Sequence, residues 1–169
     1  MLQRFLLILC LLAITGPLSA MSLKMGRNGP PFTENGIQWQ PVHYQESSKN
    51  RYLAANLPGE PRTSLSSEGI FLNSNYENAF YQVQVLGDNA PKTIKEAKEL
   101  LEKTRDLQIN KVRKSPQPNC NFAIEYQVKT DQSLIRGCFF GTDSGAYLAV
   151  SDGDNLIAKP FFESVKFSQ

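Results

Sequence analysis

Residues 79–107 read AFYQVQVLGDNAPKTIKEAKELLEKTRDL, and a change of period inside this stretch decides the fold class. Tyr81, Val83 and Val85 alternate with Gln82 and Gln84, the period-2 mark of a half-buried antiparallel strand. Past Pro91 the period changes. Ile94, Ala97, Leu100, Leu101 and Leu107 fall at helical spacing, and the face opposite them is charged. Thr93 with Glu96 three residues on forms a capping box. Glu99 stands four before Lys103, a favourable pair worth a few tenths of a kcal/mol. A strand leading into one amphipathic helix over 93–107 predicts an α+β domain with the helix laid on a sheet.

Working outward, IQWQPVHY (37–44) and RYLAANLP (51–58) are predicted strands, the second ended by Pro58-Gly59. Residues 60–68 read as loop and GIFLNSN (69–75) as a third strand. Beyond the helix, KSPQPN reads as a Pro-rich loop. CNFAIEYQV, LIRGCFF (134–140) and AYLAV (146–150) then form a meander, with AYLAV apolar on both faces and therefore central. The tail KPFFESVKFSQ suits one helical turn opened by Pro160 and a last strand near Val165–Phe167. The expected architecture is an antiparallel sheet of about six to eight strands, one main helix and a short C-terminal helical turn.

At the N-terminus, Arg4 precedes an apolar run from Phe5 to Ile14, Gly16-Pro17 breaks it and Leu18-Ser19-Ala20 follows. These are the three regions of a secretory signal peptide with cleavage near Ala20. The run is short for a bilayer span, which takes ~20 apolar residues; a short uncleaved anchor is the alternative. Cys10, flanked by leucines, does not suit lipidation. The expected organisation is a signal peptide over 1–20, a flexible Gly- and Pro-rich leader over 21–36 and a single domain over 37–169. No later segment is apolar enough to span a membrane, so a secreted or periplasmic protein is expected. With 18 basic and 16 acidic residues, the chain has no field to steer it to nucleic acid or an anionic surface.

Signs of catalysis are sparse. The one histidine, His43, sits beside an early strand, and no cysteine pair has zinc spacing. No glycine loop joins a strand to a helix in a phosphate-binding pattern, and no serine lies in a nucleophile elbow. In TDSGAYLAVSDGDN (142–155) a strand separates Asp143 from Asp152 and Asp154, so the aspartates read as turn chemistry; Asp152, Asp154 and Asn155 are too few for a calcium cage of 6–8 oxygens. No cofactor or metal is expected. The sharpest charge cluster is Lys111, Arg113 and Lys114, just past the helix, and it is the candidate binding patch. A small hydrolase built on paired carboxylates is the alternative, because pairing in space is invisible in sequence.

The order of elements resembles the PsbP fold of small exported proteins. RYLAANLPGEP stands where that family closes its first hairpin at a proline, AFYQVQVLGDNAPKTIKEAKELLEK where its central strand enters a helix, and FFESVKF where its tail ends. The resemblance covers roughly 37–169 and rests on arrangement, with no catalytic signature. It implies an α/β/α sandwich around an antiparallel sheet and a non-enzymatic accessory or assembly role. No binding residue of the family maps onto this chain. An exported, non-catalytic protein acting on a protein partner or envelope component is therefore expected.

Cys120 and Cys138 remain after cleavage, and an even count in an oxidising compartment predicts one disulfide, worth about 3 kcal/mol for such a loop. Two buried free thiols are the alternative. Strand geometry opposes the bridge. With Lys129–Ser133 as the hairpin loop, Cys138 faces Ile124, four residues or ~13 Å from Cys120, against a Cα limit of about 7 Å. The bridge requires Cys120 to lie before its strand, or another register.

Overall fold

The computed structural model describes residues 23–66 and 69–167; the expected signal peptide lies outside them. Strand accounts for 58% of these residues and helix for 15%. The α+β expectation, one sheet of six to eight strands carrying a main helix over 93–107 in a PsbP-like sandwich, is therefore corrected. The protein is mostly β, with antiparallel sheets of four and seven strands and two short helices among the described residues.

The smaller sheet is built on β3 (Ile37–Glu46), which pairs along its length with β4 (Arg51–Pro58). The other side of β3 carries β1 (Leu23–Arg27) and β2 (Phe32–Glu34), so two strands occupy part of the expected leader. The larger sheet joins two meanders. One runs β5 (Arg62–Ser66), β6 (Gly69–Tyr76), β7 (Ala79–Val85). The other runs β8 (Leu107–Gln117), β9 (Cys120–Lys129), β10 (Leu134–Thr142), β11 (Gly145–Ser151). They meet where β7 pairs with β11, giving the order β5-β6-β7-β11-β10-β9-β8. β11 is thus central, as its apolar faces predict, and β8 is an edge.

Helix α1 (Ile94–Leu101) carries the predicted capping box: Thr93 Oγ1 accepts from the Glu96 amide, and the Glu96 carboxylate accepts from Thr93. It buries Ala97 and Leu101 and stops six residues short of the predicted end. Lys103 and Thr104 donate to the carbonyls of Leu100 and Leu101 in tightened turns, and Asp106 turns the chain at φ 60°. Leu107 fits the helical period only by coincidence. With Ile109 it opens β8, paired to Val128 and Tyr126.

The predicted tail turn is a longer helix, α2 (Asn155–Ser164), with Pro160 inside it. Asp154 caps it, accepting from the Leu156 amide at 2.7 Å. A mid-helix proline frees the carbonyl four residues back. Here that is Leu156, 81% exposed at the start of the helix, where water can replace the lost bond. The expected last strand reduces to one bridge, Lys166 to Ala54.

Each face of the large sheet carries a core. One packs Leu72, Tyr81, Val83, Tyr147 and Phe140 against Trp39, Tyr44 and Leu53 of the small sheet and Phe161 of α2. The other sets Phe122, Ile124, Phe139 and Leu148 with Leu101 of α1. Phe139 and Phe140 serve opposite cores, as doublets in a doubly covered strand must. An ionic clamp ties the layers together. Buried Arg51 of β4 donates to the Ser144 carbonyl at 2.7 Å, lies 2.6 Å from Asp88 and lies 3.6 Å from Glu46. Lys49 donates to the same Asp88 at 2.7 Å and Tyr44 to Glu46 at 2.6 Å. Burial, then the Glu46 carboxylate, pushes the Tyr44 phenol up.

Candidate functional site

The β8–β9 hairpin turns at Pro118-Asn119, where Asn119 takes φ 60°, a left-handed conformation that asparagine tolerates. Pro116 is tolerated because β8 is an edge. Two irregularities, between Ile109 and Lys111 and between Lys114 and Gln117, break its period. Lys111, Arg113 and Lys114 all lie on this strand and are exposed. The register divides them. Arg113 pairs with Ala123 and Lys111 with Glu125 on one face, whereas Lys114 pairs with Phe122 on the other. Arg113 forms an ion pair with Glu125.

On the Arg113 face a cavity of about 540 Å³ opens between β8–β10 and α2. Ala123, Cys138 and Phe140 are apolar residues on its sheet side, and α2 contributes Lys159, Phe162 and Glu163. Phe162 is half-buried while its neighbour Phe161 is fully buried, so the second doublet divides between core and cavity. Each carboxylate here has a cation: Glu125 has Arg113, and Glu163 has Lys159 at 4.0 Å, one helical turn away. Arg136 of β10 differs. Its Nη1 donates to the Gly153 carbonyl at 2.9 Å, and among the described residues no carboxylate meets it.

The sequence reading found Arg113 and missed Glu125, Arg136, Lys159 and Glu163. A signal existed for Arg136, the lone charge in an otherwise apolar LIRGCFF. Lys159 and Glu163 stand four apart, a helical pair hidden by Pro160.

Cys120 and Cys138 are both free and buried; the expected disulfide is not formed. Leu134 pairs with Lys129, one residue from the assumed register, so Cys138 faces Glu125, while Cys120 pairs with Gln117 beside the hairpin turn. Burial pushes the Cys120 thiol up to about 11, and burial followed by the Glu125 charge also raises Cys138. Both shifts favour the thiol over the thiolate, which is the reactive form. His43 sits on β3 of the other sheet and does not line this cavity. The aspartates of 142–155 are used locally: Asp143 accepts from Asn121, Asp152 from the Phe80 amide, and Asp154 caps α2.

No protein-family model, curated protein or solved structure matches this chain. The resemblance to the PsbP fold thus draws nothing from known relatives. Among the described residues no helix is long and apolar enough to cross a membrane.

Proposed function

We propose that this is an exported, non-catalytic binding protein that engages a protein partner through the β8 side of its large sheet. One observation carries the reading: β8 ends the sheet with Lys111, Arg113, Lys114 and no acid, bordering a cavity whose lining mixes Phe140, Phe162 and Val165 with charged and amide side chains. Concave sites that join apolar surface to a few placed polar groups are a usual form of recognition site. Lysine, proline and bulges also guard edge strands against self-pairing. That role alone does not call for Arg136, which lies inside the cavity two strands from the edge.

The carboxylate-hydrolase alternative has Glu125 and Glu163 in one cavity. Each already has a cation partner, Arg113 for Glu125 and Lys159 for Glu163, so neither carboxylate stands free as the paired acids of that chemistry would.

Charge reversal at Lys111, Arg113 and Lys114 tests the binding reading. In a pull-down from the native compartment it is expected to cut recovery of the partner at least tenfold; undiminished recovery contradicts it.

A further inference from the structure

Arg136 poses a problem that the β8 patch does not solve. It lies on the third strand from the edge, within the cavity, and it is half-buried. The neighbouring cations Arg113 and Lys159 are matched by Glu125 and Glu163. Among the described residues Arg136 has only the Gly153 carbonyl, which occupies one of its five donors. Holding one carbonyl takes one donor and leaves the rest of the fork; an unmatched guanidinium beside apolar surface is the group that recognises a carboxylate in two-pronged fashion. Phe140 and Phe162 supply that surface.

We propose that the cavity receives a short segment of the partner in which an acidic residue stands next to a large apolar one. The carboxylate pairs with Arg136, and the apolar side chain lies against Phe140 and Phe162. This rests on the protein-partner reading above and names what the partner presents. Ligand pockets span roughly 300–1,000 Å³, and about 540 Å³ admits a few side chains. Of the charges lining the cavity, Arg113 and Lys159 are paired with Glu125 and Glu163, so the positive excess is Arg136 itself, which favours an acidic segment over a basic or neutral one.

The probe is the capped peptide acetyl-Ser-Glu-Phe-Leu-Ser-amide, titrated into the mature protein with amide chemical shifts followed by NMR. Shifts are expected to cluster on β10 and α2. Replacing its Glu by Gln, or its Phe-Leu by Ala-Ala, is expected to weaken binding at least tenfold, as is Arg136→Gln, whose amide can still serve Gly153. Should that variant not fold, Phe162→Ser together with exposed Lys159→Glu reads the same loss. Equal binding of the Gln peptide, or shifts away from the cavity, overturns the proposal. So does hexanoate binding as tightly as the peptide, which would assign the site to free carboxylates. If the β8 reversals abolish partner recovery while Arg136→Gln preserves it, the inference fails and the partner reading stands. If neither affects recovery, both fail.

Discussion

Gly137→Ala places a methyl group where no space exists. Gly137 of β10 pairs with Tyr126 of β9, whose ring lies across the glycine. A Cβ there would stand 2.1 Å from the ring Cζ, 2.4 Å from Oη and 2.6 Å from Cε2, against normal carbon contacts of ~3.5–4.0 Å. Tyr126 is 2% exposed and packs in the second core, so the ring cannot swing into solvent. Relief requires a shift of β9 against β10 or an off-rotamer tyrosine. Overpacking of this kind costs about 1–3 kcal/mol, and a gap short by more than an ångström puts this site at the upper end. At roughly 3 °C per kcal/mol for a chain of this size, the melting temperature falls by about 6–9 °C. Urea denaturation of wild type, Gly137→Ala, Tyr126→Leu and the double variant measures it. The clash belongs to the pair, so the double variant is expected to be more stable than the two single losses added together predict. A loss under about 0.5 kcal/mol, or strictly additive losses, refutes the reasoning.

Three further outcomes are expected. Arg51→Ala leaves Glu46, whose side chain is 12% exposed, without its guanidinium. Because Glu46 keeps Tyr44 and Lys49 as partners, the substitution should cost about 1–3 kcal/mol by urea denaturation, while Arg51→Met with Glu46→Gln costs less than the single variant. The Lys49 hydrogen bond, followed by the Arg51 charge and opposed by burial, holds the Asp88 carboxyl below its ordinary value. Its contribution is therefore present above the unfolded value near 3.8 and is lost as pH falls through the folded one. Asp88→Asn should be less stable than wild type at pH 7, and the difference should close in melts taken below pH 4. Both cysteines should resist alkylation in the native protein and each take one alkyl group after unfolding without reductant; a mass lacking both groups would mean a bridge.

What could be read from sequence follows from how local each signal is. β4, β7, β9 and β11 were legible because their alternation and turn residues lie within the segments themselves. β8 was not, because its two irregularities break the alternation and Pro116 and Pro118 imitate a loop. β5 is polar and short, so Arg62–Ser66 looks like the loop around it until β6 supplies its partner. Pro160 read as the opening of a helix because its cost inside one depends on Leu156 being open to water. Gln82 and Gln84 suggest an exposed face, yet they are 8% and 1% exposed, since the second core covers that side too. The division into two sheets is a matter of which strands meet across space, and no residue pattern states it. The cavity followed the same rule: Arg113 was visible as part of a charge cluster, whereas Arg136 gains its meaning only when α2 is folded beside it.

The most direct test is site-specific photo-crosslinking in the native compartment. A photoreactive residue replaces Lys114 on β8 in one sample and Thr63 on β5, the opposite edge of the same sheet, in another. The binding account predicts a discrete protein adduct from position 114 and none from position 63. No adduct from either, or the same adducts from both, would contradict it.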